Sequence, residues 1–152
     1  MAIRNIIQEG DPTLRKKSFE VTDFGPKTQV LIDDMKQTLI KAEGAGLAAP
    51  QVGVLRRIFI IDIDEGYFEF INPVILSTSG SQVDNEGCLS VQGKHGEVER
   101  PMTVKIQAQD RYGKKFTLKA KGFFARAICH EYDHLDGILY IDKANKMFVE
   151  SK

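Results

Sequence analysis

The stretch AICHEYDHLDG, residues 127–137, restricts the fold more than any other part of the sequence. It holds two of the three histidines of the chain, four residues apart, with a glutamate directly after the first. Residues four apart on an α-helix differ by only about 40° around its axis, so His130 and His134 project from the same side. The spacing predicts a helix from about Phe123 to Leu135, around which the rest of the chain packs.

This H-E-x-x-H arrangement is typical of catalytic metal sites. The two neutral imidazoles bind the metal, while Glu131 lies beside it and can take a proton from a water molecule held there. The alternative is a helix face with two ordinary histidines, which the scarcity of histidine and the fit to zinc geometry disfavour. We therefore predict a metal site on this helix.

An open catalytic centre needs a third protein ligand, and two residues compete for that place. Glu150 is the only glutamate downstream, but it lies two residues from the C-terminus, where chains fray. Cys88, in the polar stretch NEGCLS, is the better candidate, because a thiolate binds soft and borderline metals strongly. Alternatively, Cys88 is a buried apolar thiol without a role in metal binding, an interpretation that fits Cys129 better.

The remaining pattern predicts an α+β fold. Apolar residues recur at helical spacing from Pro26 to Glu43, and Gly44 ends this N-terminal helix. Strand-like runs come next in RIFIIDID, YFEFINPVIL, TVKIQAQD and KKFTLKA, before the helix with the two histidines. We therefore predict mostly antiparallel strands packed around that helix. No linker or repeat divides the 152 residues, so we expect a single catalytic domain, 1–152.

Charge and hydropathy exclude several partners. The chain has 21 basic and 21 acidic residues, so no excess charge favours nucleic acid or anionic lipid. Its longest apolar runs are far shorter than the roughly 20 residues that a membrane span needs. The N-terminus turns polar within eight residues, unlike a signal peptide. We expect a cytoplasmic protein with reduced thiols.

The segment GAGLAAPQVG, residues 44–53, imitates a dinucleotide-binding motif. It satisfies G-x-G-x-x-A, and Asp64 lies 20 residues after Gly44. The context is wrong, however, because a helix precedes the segment and Pro50 interrupts the place where a second helix would have to run. We interpret it as a tight loop after a helix, with Gln51 as a candidate amide donor.

Three motifs together resemble the peptide deformylase family: GAGLAAPQ, EGCLS and HEYDH, in that order. GDPTLRKKS near the N-terminus and ERP at 99–101 also look like the family, so the resemblance spans nearly the whole chain. It implies a monomeric, cytoplasmic α+β metallohydrolase that removes the formyl group from the N-terminal methionine of newly made polypeptides.

The resemblance also implies roles for individual residues. Cys88, His130 and His134 hold one divalent metal ion, natively Fe²⁺ in that family and often replaced by Zn²⁺, Ni²⁺ or Co²⁺. Glu131 transfers protons, and the oxyanion is bound by the amide of Gln51 and the backbone N–H of Leu89. The residues that contact the N-formylmethionyl peptide are Ala45, Gly46, Gly87, Phe123 and Ala127.

Two departures and three alternative functions complete the sequence predictions. Position 45 is more often Val or Ile in the family. From the short stretch after ILYIDKANK we expect no long terminal helix of the kind by which some members dock on ribosomes, so ribosome contact is doubtful. A peptidase would need a ligand other than Cys88, a structural metal module would need four protein ligands, and an oxidoreductase would have to bind NAD(P)H.

Overall fold

The computed structural model describes residues 2–150. Its two helices are α1 (Pro26–Ala42) and α2 (Gly122–His134). Its strands are β1 (Gly46–Ala48), β2 (Ile58–Ile63), β3 (Gly66–Ser79), β4 (Gln82–Cys88), β5 (Val91–Arg100), β6 (Thr103–Gln109), β7 (Lys115–Lys121) and β8 (Lys146–Val149). Short 3₁₀ turns lie at Pro12–Arg15, Ala49–Val52 and Tyr140–Asp142.

Strands β1, β2, β3, β6 and β7 form a five-stranded antiparallel sheet in the order β1-β2-β3-β6-β7. Strand β2 is buried on both faces, because Ile58 and Ile60 belong to one apolar cluster and Phe59 and Ile61 to the other. Phe59 stacks on its β3 partner Phe70, with ring centroids 4.8 Å apart. The alternation follows from the two-residue period of a strand and lets one sheet carry a helix on each side.

Helix α1 covers the first face. It starts at a proline, which suits the first helical position, and ends at Ala42, followed by the capping residue Glu43, whose φ of 55° lies in the left-handed region. Leu31, Met35 and Leu39 form its buried stripe against the sheet. The predicted helix is confirmed, with its end one residue earlier than expected.

Helix α2 covers the second face. Its buried residues include Phe124, Ala125 and Ile128, which pack against β2, β3 and β6. The helix is predicted within one residue at each end. Because its other side holds the histidines, α2 lies between the five-stranded sheet and the rest of the molecule.

The remaining strands form a three-stranded antiparallel sheet, β4-β5-β8. A Cβ atom added at Gly96 of β5 would lie 2.6 Å from the Met147 sulfur and 3.0 Å from Cβ of Ala144. Only a glycine therefore lets β8 approach this closely. At the end of β8, the Glu150 N–H donates to the carbonyl of Gly93 over 2.9 Å.

Two local predictions were wrong. The tight loop expected at 44–53 contains strand β1, and the polar turn expected at NEGCLS is the end of β4, with only Leu89 and Ser90 in the turn. The α+β fold of mostly antiparallel strands around the HExxH helix is confirmed. No helix within residues 2–150 is long and apolar enough to cross a membrane.

Candidate metal centre

Three side chains from two parts of the fold meet on the side of α2 that faces away from the five-stranded sheet. Cys88 comes from the end of β4, whereas His130 and His134 come from the last turns of the helix. One ligand atom of each lies within 4.8 Å of the other two. The Cys88 sulfur lies 3.4 Å from Nε2 of His134. The group therefore offers one sulfur and two imidazole nitrogens to a common point.

The pKa values of the two histidines are shifted in opposite directions. Burial lowers the pKa of His134 well below its ordinary value, which leaves a neutral imidazole that can bind a metal. Burial also opposes charge on His130, but the Cys88 thiol and the Glu131 carboxylate outweigh it, so the pKa of His130 lies well above the ordinary value. Independently of these shifts, a thiolate and two imidazoles are donors that fit a divalent transition-metal cation.

Glu131 lies next to the three candidate ligands but outside their cluster. Its Oε2 atom is 4.0 Å from Nε2 of His130, and Oε1 has no hydrogen-bond partner among the described residues. Burial raises the pKa of Glu131 to about 7. A carboxyl group with such a pKa can both accept and donate a proton near neutral pH.

Gly46 of β1 leaves room for this carboxylate. A Cβ atom added at Gly46 would lie 2.6 Å from Oε2 of Glu131 and 3.0 Å from its Cγ and Cδ. These distances are shorter than any ordinary non-bonded contact. The glycine is therefore required by the position of the Glu131 side chain and not by the backbone of β1.

The side chain of Gln51 is held in place by hydrogen bonds beside Cys88. Its Oε1 accepts from the N–H of Ala48 over 2.9 Å, which turns the amide nitrogen toward the centre. Nε2 donates to the hydroxyl of Ser90 over 3.0 Å and lies 3.6 Å from the sulfur of Cys88. In the sequence, Leu89 lies between Ser90 and the candidate ligand Cys88.

A cavity of about 480 Å³ opens beside the cluster. Its wall includes every residue for which peptide contact is predicted: Ala45, Gly46, Gly87, Phe123 and Ala127. A Cβ atom added at Gly87 would meet only the Lys94 carbonyl, at 3.9 Å, so the fold itself does not require this glycine. Glu150 lines the same cavity but lies outside the ligand cluster.

A buried network behind His130 was not predicted. Nδ1 of His130 lies 2.8 Å from Oε1 of Glu86, so its Nε2 is left for the ligand cluster. Arg100 donates to both oxygens of Glu86, over 2.8 and 2.9 Å, and to Asp133 over 2.7 Å. Arg126 donates to Oε2 of Glu86 over 2.5 Å. A metal-binding histidine commonly has a carboxylate partner of this kind.

Two sequence signals could have revealed this network. Glu86 precedes the Cys88 ligand by two residues in a strand, which puts both side chains on one face. Arg126 precedes His130 by one helical turn. The second cysteine, Cys129, is buried away from the ligands, and burial raises the pKa of its thiol to about 11.

Comparison with known proteins places these features in a family. The family model for polypeptide deformylase matches residues 3–149. Peptide deformylase from Caldicellulosiruptor bescii is 54% identical over 152 residues, which cover 100% of this chain and 92% of that protein.

Solved structures agree with the sequence comparison. The peptide deformylase of Legionella pneumophila superimposes with a TM-score of 0.92 at 41% identity, covering 95% of this chain and 87% of that one. The enzyme of Thermotoga maritima gives a TM-score of 0.93 at 37% identity, covering 96% and 100%. With the sequence matched almost from end to end and the fold matched as well, the chain belongs to the polypeptide deformylase family.

Proposed function

We propose that this chain carries out the reaction of its family in the cavity beside α2, with Cys88, His130 and His134 as the ligands of one metal ion. The reaction is the metal-dependent hydrolysis of the N-formyl group of newly synthesised polypeptides. The observation that carries the proposal is the convergence of these three side chains next to the buried carboxylate of Glu131, whose Oε1 has no hydrogen-bond partner among residues 2–150.

The donor set supports a transition metal. A thiolate with two imidazoles suits Fe²⁺, Zn²⁺, Co²⁺ or Ni²⁺ better than Mg²⁺ or Ca²⁺. We propose Fe²⁺ as the native ion, by resemblance to the family, with the other three as substitutes. When bound, such a cation polarises the formyl oxygen and makes water more acidic.

Glu131 is proposed as the group that moves protons. It accepts a proton from the attacking water and passes it to the departing amine nitrogen, which releases formate and a free N-terminus. Its pKa of about 7 suits both steps, although a divalent cation beside it favours the ionised form. Because Gly46 and the helix confine the carboxylate, little reorganisation is needed during the reaction.

Two donors are proposed to stabilise the negative charge that develops on the formyl oxygen. The first is Nε2 of Gln51, already oriented by the bond between its Oε1 and Ala48. The second is the backbone N–H of Leu89. Preorganised donors of this kind are each worth about 10²- to 10³-fold in rate.

The cavity suits an N-formylmethionyl peptide. Phe123 and Ala127, one helical turn apart, supply an apolar wall for the methionine side chain, and Ala45 lies on the same wall. Strand β1 is the first strand of its sheet, and no other strand within residues 2–150 pairs with its outer edge, so this edge can pair with an extended peptide at positions other than the Ala48 N–H, which donates to Gln51. We propose that residues 1–152 act as one catalytic domain, monomeric and cytoplasmic, without nucleic acid or membrane contact.

The substitution Glu131→Gln tests the roles assigned here. The amide is nearly isosteric and Glu131 is not a ligand, so the variant should keep its metal and lose nearly all turnover. The assay loads the protein with Fe²⁺ without oxygen and measures formate from formyl-Met-Ala-Ser, with metal content read on the same sample. A variant that loses its metal, or retains most of its activity, contradicts the assignment.

Cys88→Ser separates this proposal from its competitors. We expect the variant to bind metal much more weakly, because a hydroxyl is a poor replacement for a thiolate. A peptidase with a different third ligand would keep its metal after this change. A structural metal module would gain stability from added metal and release no formate.

A further inference from the structure

Arg126 and His130 hold the two oxygens of one buried carboxylate. Nη1 of Arg126 donates to Oε2 of Glu86 over 2.5 Å, and Nδ1 of His130 lies 2.8 Å from Oε1 of the same group. Both residues lie on α2, one turn apart, so they project from the same side of the helix. The helix thus carries a metal-ligand candidate together with a second residue that fixes the partner of that ligand.

Arg126 is itself held in one position. It is 3% exposed, and Nη1 also donates to the carbonyl of Val98 over 2.9 Å, while Nη2 lies 3.4 Å from the carbonyl of Gln82. Its Nε has no hydrogen-bond partner among the described residues. A buried donor without a partner costs about 1–3 kcal/mol, so stability alone is a poor explanation for an arginine here.

The second arginine on this carboxylate plays a different part. Arg100 belongs to β5 and is shared between Glu86 and Asp133, so it ties the three-stranded sheet to α2 in general. Arg126 lies on α2 itself and donates directly to Glu86, whereas Arg100 reaches the helix through Asp133. Without Arg126, Oε2 of Glu86 keeps Arg100 but loses its direct donor from the helix that carries His130.

We propose that Arg126 is a positioning residue that, through Glu86, fixes the rotation of the His130 ring and hence the direction of its Nε2. This inference rests on the metal site proposed above. Loss of a residue that orients a metal ligand from behind typically costs about 10- to 100-fold in metal affinity or activity. The stem of Arg126 also lines the cavity, so the substituting side chain must preserve that wall.

The test compares Arg126→Met, which keeps an unbranched stem and removes the donors, with Arg126→Lys, which keeps the charge but loses the planar fork of guanidinium donors. Arg111→Met is the matched control, since Arg111 also bridges two carboxylates, Glu69 and Asp33, on the far side of the five-stranded sheet. Metal-free protein is titrated with Co²⁺ in competition with a chelator, and the visible absorption of bound Co²⁺ is recorded. Thermal unfolding, kcat and KM are measured on the same preparations.

We expect Arg126→Met to bind Co²⁺ about 10- to 100-fold more weakly, with an altered spectrum and lower kcat but an unchanged KM. Arg126→Lys should lie between this variant and the parent. Arg111→Met should unfold at lower temperature and bind Co²⁺ as the parent does. If Arg126→Met lost stability but kept the affinity and spectrum of the parent, the arginine would be structural and the inference wrong.

Two further outcomes are distinguishable. If Arg126→Met does not fold, Arg126→Lys decides, and parental affinity and spectrum in the lysine variant overturn the inference. Failure of the proposed function has another signature, because the unsubstituted chain would then bind no Co²⁺ at this site or release no formate.

Discussion

Replacing Gly46 by alanine should disable Glu131 without touching a metal ligand. The new Cβ would lie 2.6 Å from Oε2, whereas non-bonded heavy atoms settle near 3.5 Å, so the carboxylate must move by about 1 Å. A displacement of that size at a reacting group can cost about 10²-fold in rate, or about 2.7 kcal/mol. The backbone of Gly46 is not in the left-handed region, so alanine adds no backbone strain.

The assay is formate release from formyl-Met-Ala-Ser, with metal content measured in parallel. We expect kcat to fall about 100-fold at unchanged metal content. The double variant with Glu131→Gln serves as the control, because a change that acts through Glu131 should add little once that carboxyl group is gone. Parental kcat in Gly46→Ala, or an equally large further loss in the double variant, would refute the reasoning.

Three other changes have definite expected outcomes. Ala45→Val narrows the cavity and should shift kcat/KM toward formyl-methionine over formyl-norleucine and formyl-phenylalanine peptides, by about 1–3 kcal/mol at most; an unchanged ratio would place Ala45 outside the methionine pocket. Tyr140→Phe removes a buried hydroxyl without a partner among the described residues and should raise the free energy of unfolding in urea by about 1 kcal/mol. A clear loss of stability would instead reveal a partner for that hydroxyl. Burial alone would raise the pKa of Glu69, but hydrogen bonds from Arg111 and Tyr67 outweigh it and hold the pKa below its ordinary value. The stability difference between the parent and Glu69→Gln should therefore be full at neutral pH and vanish as the pH falls through that lowered pKa, and a constant difference would contradict the ion pair.

The parts of the fold with a local signal were predictable. Helix α2 follows from the spacing of His130 and His134, and strands β2, β3, β6 and β7 follow from runs of branched and aromatic residues. Strand β5, VQGKHGEVER, has two glycines and no apolar alternation, because its partners are other backbones and a charged network. Such a strand is defined by pairing with distant residues, which a sequence window does not contain.

The candidate site also contains residues that the sequence identifies and residues that it does not. The structure brings together Cys88, His130 and His134, which the motifs single out, whereas their roles stay predictions. Glu86 and Arg126 were missed, although each lies at the right interval from a ligand candidate. A charged residue beside a motif is ordinarily taken for a solvated side chain, and only burial shows that it is not.

The two sheets share no strand, so the buried charges also restrict how the sheets can pack together. Glu86 enters from the three-stranded sheet and meets arginines that no water can solvate. A slip of β4 by one residue would turn Glu86 to the opposite face and leave the buried guanidinium of Arg126 without its counter-ion, whereas Arg100 would keep Asp133. Only one register of docking avoids that penalty. The candidate metal site is therefore expected to assemble in the same step in which the three-stranded sheet docks, and amide hydrogen exchange in β4 should report on both.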